Sequence, residues 1–352
     1  MSIKSISKSK LFIAALMAAG LTLAGCAGNG NAAGNGQGAG EGQPNVETEQ
    51  GAQSESGSGE TENIDNSASG EGAGGDSSSQ SGADAESSED GPKADDDGIF
   101  RVSSTEELLK AIRPGAHIVI APGYYNMSDY LKAYDGQKER SEWNEKHSYV
   151  KLRDVYDGLE VVIQDVEGLT IEGGSDDAGD TEIVIEPRYS AVFYFNHVNN
   201  LSISNITVGH TQSGECIGNV LDFVYCDTVE VSNSDLYGCG VFAISGQEGT
   251  CNLHVKDTTL RDCSSGPFYF YKYKGEAIFD DCTFTGSQWG GSFYGYDDAK
   301  LIFNRCTFGQ EETNTWYYDS TVEKNDCQMA TPTEDNTFDY EIYENPVWGA
   351  VG

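Results

Sequence analysis

An internal repeat constrains the fold of this chain more than any other feature of its sequence. Each copy carries apolar residues at its first, third and eighth positions, and polar residues at its fourth and usually its fifth. The complete copies lie 24 residues apart, except for a step of 28 residues between the copies at Leu201 and Val229. A unit of this length cannot bury its apolar face alone, so neighbouring copies must stack into a solenoid. The copies begin at Leu169 (a partial one), Leu201, Val229, Leu253, Ala277 and Leu301.

A second apolar segment, rich in aromatic residues, lies between successive copies. Its alternation of period two predicts at least two β-strands in every repeat. Leucine-rich repeats have a similar period, but they place Asn three residues after the last leucine, whereas Asn205 and Asn233 follow the second apolar residue by two. We therefore predict a right-handed, single-stranded parallel β-helix. The second segments span 192–195, 220–223, 241–244, 268–271, 293–296 and 316–318.

The start of the folded region predicts a short N-terminal capping helix. Ser104 and Glu107 have capping-box spacing, Leu108 and Ile112 belong to an apolar stripe, and Pro114 with the following glycine ends the helix. Residues 126–150 are expected to form an exposed insertion.

Across about residues 160–310 the sequence resembles the secreted β-helix-repeat proteins with a pectate-lyase-like fold. The helix before the first strand is similar to the N-terminal cap of that family. The resemblance implies an all-β solenoid, but this fold hosts many functions, so it does not choose among them.

Residues 1–26 predict an export signal. Three lysines precede the apolar run 11–23, and the small residues before Cys26 resemble a bacterial lipoprotein signal. The resemblance implies that Cys26 becomes the lipidated first residue of the mature chain, carrying palmitate-type acyl chains on the extracytoplasmic side of a bacterial membrane. The apolar run is short for a bilayer span, so lipid would be the anchor. An ordinary secretory peptide is the alternative.

Residues 27–97 predict a disordered acidic tether. They contain 16 acidic residues, one lysine and no Phe, Trp or Tyr, so they cannot bury enough apolar surface to offset their ordering entropy. This segment would span about 45–50 Å as a flexible chain.

The remaining residues, 98–352, are predicted to form the β-helix domain, with 41 acidic and 17 basic side chains. The whole chain carries a formal charge of -36, which excludes a basic nucleic-acid interface and favours neutral or cationic glycans as partners.

Eight cysteines follow Cys26, without the CxxC or His/Cys spacing of a zinc site. Cys239 and Cys263 are one repeat period apart, as are Cys282 and Cys306, so each pair should stack on successive turns. In-register strands hold Cβ atoms farther apart than the ~3.8 Å of a disulfide, which favours buried thiols. One disulfide among the other four cysteines is the alternative in an exported protein.

Aligning the second strands predicts an outward row of tyrosines. Aromatic rings stack on sugar rings, so this row is a candidate glycan-binding surface, whereas tyrosines that merely cover strand edges are the alternative. A one-residue slip would turn the row inward. The predicted row is Tyr194, Asp222, Ala243, Tyr269, Tyr294 and Tyr317.

His210, Glu215 and Asp222 are the best candidates for acid/base catalysis, because the long connection 209–216 places titratable groups near the row. The Gly-His pair faintly resembles a polygalacturonase motif, but that family's paired aspartates and Arg-x-Lys element are not recognisable. His210 would otherwise hydrogen-bond a turn.

Polysaccharide lyases of this fold use an Arg or Lys base together with calcium. We expect no cofactor for this chain, and a bound calcium ion is the alternative. Arg261, Lys272 and Lys274 could supply the cation, although acidic pairs at turns are usually solvated. The oxygen ligands would be Asp280, Asp281, Asp297 and Asp298.

The sequence therefore favours a membrane-anchored, extracytoplasmic β-helix lipoprotein that binds a glycan or another cell-surface polymer, and it leaves catalysis open. A polysaccharide lyase or glycoside hydrolase is the first alternative. A structural or adhesin-like spacer that binds another protein is the second.

Overall fold

The computed structural model describes residues 91–211, 217–238, 241–287, 289–309 and 317–330. These residues form a right-handed parallel β-helix of about six turns, as the repeat predicts. Cys26 and residues 27–90 of the predicted tether lie outside the described residues, as do Glu215, Cys216 and Cys239. At the end of the predicted tether, Asp95 and Asp97 form ion pairs with Arg101 at 2.6 and 3.0 Å. No helix among the described residues is long and apolar enough to cross a membrane.

The predicted capping helix is present. The side chain of Ser104 accepts a hydrogen bond from the Glu107 amide (3.2 Å), and the Glu107 carboxylate accepts one from the Ser103 amide (2.7 Å). Leu108 and Leu109 are buried and close the N-terminal end of the core. This part comprises β1 (Ile99–Val102), α1 (Thr105–Ala111), β2 (His117–Ile120) and β3 (Gly123–Asn126).

The insertion 126–150 is not fully exposed, because its tryptophan, Trp143, packs into the hydrophobic core. Trp143 is buried, donates its indole N–H to the Val150 carbonyl (3.1 Å) and stacks on His147 at 3.7 Å. The prediction of an exposed insertion was wrong at this residue, because one buried apolar side chain in an otherwise charged helix gives no recognisable hydrophobic pattern. The insertion comprises α2 (Met127–Leu131), a 3-10 turn (Lys132–Tyr134), α3 (Gln137–Lys146) and β4 (Val150–Val155).

Each full turn contributes three strands, because every eight-residue copy is divided in two. The residue at position five adopts a left-handed backbone, with φ of 58° at Asn205 and 42° at Asn233, and this turns the chain through a corner. Asn and Asp tolerate such a conformation better than most residues. The strands are β5 (Gly158–Gly173), β6 (Thr181–Ile185), β7 (Phe193–Ser204), β8 (Thr207–His210), β9 (Leu221–Val224), β10 (Asp227–Ser232), β11 (Asp235–Tyr237), β12 (Phe242–Gln247), β13 (Cys251–Lys256), β14 (Thr259–Arg261), β15 (Gly266–Asp280), β16 (Thr283–Thr285), β17 (Ser292–Gly295), β18 (Lys300–Asn304), β19 (Thr307–Phe308), β20 (Tyr317–Tyr318), β21 (Thr321–Asn325) and β22 (Gln328–Met329), with a 3-10 turn at Ala178–Asp180.

The strands form three faces of parallel ladders. The first face contains the early parts of β5, β7 and β15 together with β9, β12, β17 and β20. The second contains their later parts with β1, β2, β10, β13, β18 and β21, and the third runs from β3 to β22. Only β4 pairs antiparallel among the described strands, forming a hairpin with β5 at one end of the first face.

Stacked side chains fill the space between the faces. Phe195 stacks on Phe223 at 5.3 Å, and Phe279 on Phe303 at 5.4 Å. Aromatic stacks of this kind bury large apolar areas and repeat with the turn, so each turn supports its neighbours.

The described cysteines are thiols rather than disulfides. Cys282 and Cys306 precede Thr283 and Thr307, which pair across β16 and β19, so these two cysteines occupy equivalent positions on successive turns as predicted. Both are buried, and each thiol bonds a backbone carbonyl.

Candidate functional site

The strand register corrects the predicted tyrosine row. Ser245, not Ala243, lies beside Asp222 and Tyr269, and Ala243 is buried in the core. The alternation could not be followed there because residues 241–246 are all buried. Tyr294 pairs with Tyr271 in a second row. The observed first row is Tyr194, Asp222, Ser245, Tyr269, Ser292 and Tyr317.

Three half-buried tyrosines nevertheless form one aromatic cluster on this face. The Tyr269 ring lies 6.4 Å from the ring of Tyr271 and 6.2 Å from that of Tyr294. Phe242 stacks under Tyr269 at 5.1 Å and supports it from the preceding turn. We call Tyr269, Tyr271 and Tyr294 the tyrosine cluster. The backbone of Tyr317 pairs with that of Ser292.

Asp222 is a buried acid surrounded by amide donors. It is 8% exposed and accepts hydrogen bonds from the side chains of Asn219 (2.9 Å) and Gln247 (3.4 Å). Burial raises the pKa of Asp222 to about 6, against the lowering effect of these donors. Asp222 therefore titrates close to neutral pH, and it can donate or accept a proton there.

A second buried acid, Glu160, lies near Asp222 and holds a guanidinium over Tyr194. Glu160 accepts hydrogen bonds from Arg153 Nε and from the Ala191 amide, both at 2.8 Å. Arg153 lies 4.4 Å from the centre of the Tyr194 ring. Burial and the charge of Asp222 raise the pKa of Tyr194. Sequence reasoning missed Arg153 and Glu160 because the β4–β5 hairpin brings them together, outside the repeat.

The structure places His210 in a different environment from Asp222. It is 4% exposed and donates from Nε2 to the Ser190 carbonyl at 2.9 Å, and Nδ1 has no partner among the described residues. Burial lowers the pKa of His210 to about 4, so its ring is neutral at neutral pH. This contact is the turn-bonding role that the sequence left open, and the catalytic role stays a prediction.

Four of the seven groups considered for calcium or for a lyase base form ion pairs or hydrogen bonds with other side chains. Lys274 lies 5.3 Å from the centre of the Tyr296 ring. Asp280 bonds His254 (2.8 Å) and Asn304 (2.6 Å), and Asp281 pairs with Arg305 (2.6 Å). Within the described ranges, no group of three His, Cys, Asp or Glu side chains is placed to hold a metal. Arg261 likewise pairs with Asp235 and Asp262, and Lys272 with Glu248.

A separate groove of about 760 Å³ lies between the second and third faces. Its acidic lining is partly neutralised by Arg261, which donates to Asp235. It shares no residue with the first face. Its lining includes Asp176, Asp177, Asn233, Asp235, Asp257 and Arg261.

The strand register defines the class of this protein as a right-handed parallel β-helix. No family model matches the chain, and no curated protein matches its sequence. Among solved structures, the chain is similar to the pectin methylesterase from Aspergillus niger, with a TM-score of 0.34 and 12% identity over 70% of this chain and 91% of that one. It is also similar to a variant of Bacillus subtilis pectate lyase, with a TM-score of 0.36 and 10% identity over 72% and 87% of the two chains. An alginate lyase from Paenibacillus gives a TM-score of 0.32 and 9% identity over 68% and 96%. These likenesses concern the fold and not the side chains of the first face.

Proposed function

We propose that this protein binds a glycan along the first face of its β-helix. The observation that carries the proposal is the tyrosine cluster, which lies on the same ladder as Asp222 and Gln247. The buried Asp222 carboxylate accepts hydrogen bonds from the side-chain amides of Gln247 and Asn219. Tyrosine rings stack on the apolar faces of sugars, and fixed polar groups beside them bond the ring hydroxyls. A ligand of this kind matches a half-exposed aromatic surface on rigid strands.

The domain's excess of acidic side chains favours neutral or cationic glycans over polyanions. The chain would be held outside the cell membrane by lipid on Cys26, with residues 27–97 as the tether. This arrangement would present the first face to polymers of the bacterial envelope.

A carbohydrate-active enzyme is the second candidate, and the environment of Asp222 favours it. An acid with a pKa of about 6 can serve as a general acid or base near neutral pH. Glu160 supplies a second carboxyl group, and Arg153 beside it supplies a positive charge. Two carboxyl groups flanking a sugar are the usual requirement for glycoside hydrolysis.

The proposal is tested with the full-length protein on a glycan array and in polysaccharide-depletion assays, with and without calcium. Reducing-sugar release and the absorbance of unsaturated products are followed in the same wells. We expect binding that Tyr269→Ala and Tyr294→Ala weaken. Tyr124→Ala is the matched control, since Tyr124 is 60% exposed and lies on the third face.

The outcomes separate the candidates. Binding without turnover supports the glycan-binding protein. Turnover that Asp222→Asn abolishes would replace it with the enzyme. Absence of binding to every neutral and acidic polymer would contradict both and favour a protein-binding spacer.

A further inference from the structure

Two exposed tyrosines lie together at the hairpin end of the first face. Tyr156, in the β4–β5 turn, is 86% exposed, and Tyr189, in the turn 186–190, is 39% exposed. Their ring centres are 5.0 Å apart and their planes are tilted by 47°. Ile217, also exposed, adjoins them through a hydrogen bond from its amide to the Arg188 carbonyl (3.0 Å). Exposed apolar groups that cluster in this way mark a contact surface more often than single exposed side chains do.

The two turns that carry these tyrosines are fixed to one another. The Asp157 carboxylate accepts hydrogen bonds from the amides of Arg188 (2.7 Å) and Tyr189 (3.2 Å). Gly158 allows Pro187 to approach closely, because a Cβ at this position would lie 2.5 Å from the proline ring. The turns that carry the tyrosine pair are therefore held in place before any ligand arrives, which reduces the entropy lost on binding.

The pair is continuous with the site already described. Two residues after Tyr189, the Ala191 amide donates to Glu160, and Glu160 holds Arg153 over the ring of Tyr194. From β5 to β17 the first face then crosses five strand spacings, or about 24 Å at ~4.8 Å each. The tyrosine pair and the tyrosine cluster thus lie toward opposite ends of one extended surface.

Arg188, in the same turn as Tyr189, is a candidate donor to a ligand. Its guanidinium makes no ion pair or hydrogen bond with any residue in the described ranges. Such a group presents five N–H donors to oxygen atoms of a ligand. The other described arginines are engaged by acids or carbonyls, namely Arg101, Arg113, Arg140, Arg153, Arg261 and Arg305.

We infer that Tyr156, Tyr189 and Arg188 form a second sugar-binding subsite, and that the ligand is an oligosaccharide long enough to contact both this subsite and the tyrosine cluster. The inference rests on the proposed function. A ring stacks on the tyrosine pair while Arg188 bonds its oxygen atoms, and the chain continues past Tyr194 toward Tyr269.

The test is isothermal titration of the full-length protein with xylo-, cello- and galacturonan oligosaccharides of defined length. Affinity of the wild type should rise with length until both ends of the surface are occupied. Tyr156→Ala should weaken the long oligomers by about tenfold, or about 1.4 kcal/mol, and leave the short ones unchanged. Tyr156→Phe keeps the ring and should bind like wild type, as should Tyr124→Ala. Arg188→Ala should weaken the same long oligomers.

One result overturns this inference alone: Tyr269→Ala weakens every length, while Tyr156→Ala and Arg188→Ala bind long oligomers as tightly as wild type. If the wild type binds none of the three series but binds other glycans on the array, the extended subsite is contradicted and the glycan-binding function is not. If it binds nothing on the array either, both are contradicted. Loss of fold does not confuse the result, because Tyr156 is exposed and circular dichroism checks each variant.

Discussion

Burial acts in opposite directions on the two titratable residues that the sequence singled out. It raises the pKa of Asp222 and lowers that of His210, because in both cases the neutral form is easier to remove from water. The consequences differ. Asp222 has a proton to exchange near neutral pH and adjoins the half-buried Tyr194, whereas His210 stays neutral and bonds the Ser190 carbonyl.

Asp222→Asn should change the pH dependence of stability. The folded-state pKa of about 6 lies above the ordinary value of 3.8, so the folded protein binds this proton more tightly than the unfolded chain. The stabilisation that this bound proton gives the folded state is complete below about pH 4 and is lost as the pH rises through about 6. The loss amounts to about 3 kcal/mol. Urea unfolding gives the free energy of unfolding of Asp222→Asn minus that of wild type at each pH. We expect this difference to be about 1–3 kcal/mol more favourable to the variant at pH 7.5 than at pH 4.

Asp281→Asn is the control for this experiment. Arg305 lowers the pKa of the exposed Asp281, so its contribution is present at neutral pH and is lost on acidification. The two variants should therefore change with pH in opposite directions. A difference between Asp222→Asn and wild type that is constant from pH 4 to 7.5 would contradict the raised pKa.

The corners between strands determine how each repeat folds. Asn233 donates its side-chain amide to the Asn205 side chain (2.8 Å) and to the Asp176 carbonyl (2.7 Å), so successive corners are linked. The same position on later turns holds Asp281 and Arg305, which form an ion pair at 2.6 Å. The corner is thus stabilised by contacts along the solenoid axis as well as by local backbone preference.

Asn233→Ala and Asn233→Gly separate these two contributions. Both variants lose the amide contacts, but only alanine must hold a Cβ in a left-handed backbone conformation, which costs about 1–2 kcal/mol. Chemical unfolding should therefore show Asn233→Ala less stable than Asn233→Gly by about that amount. Equal stabilities would mean that the corner relaxes to another conformation.

For the protein as a whole, the proposed function depends on where the β-helix is held. The predicted anchor, tether and domain place a rigid binding surface at the end of an acidic segment that can span about 45–50 Å. Like charges along the segment repel one another and extend it further.

Cys26→Ser should release the protein from the membrane, because serine cannot accept the lipid through a thioether. In cell fractionation we expect the wild type in the membrane pellet, extractable by detergent, and the variant in the soluble exported fraction. Cys327→Ser, a change at a cysteine far from the signal, should remain with the membrane. A variant at Cys26 that still pellets would contradict a lipid anchor at this residue.

Local patterns were enough to predict the solenoid, the capping helix and the equivalent positions of Cys282 and Cys306. A constant repeat spacing and alternation of period two can be recognised along the chain without knowledge of the fold. The division of each copy at Asn205 or Asn233 was missed, because a polar pair within a strand pattern does not reveal a left-handed corner.

Tertiary structure decided which side chains on different turns become neighbours. Loops of unequal length set the register, and the continuous burial of residues 241–246 hid the alternation that would have placed Ser245 in the row in place of Ala243. Arg153 and Glu160 reach the first face through an antiparallel hairpin outside the repeat. The repeat therefore determined the scaffold, while chain connections of irregular length determined which side chains share its surface, because they set distances that no local periodicity encodes.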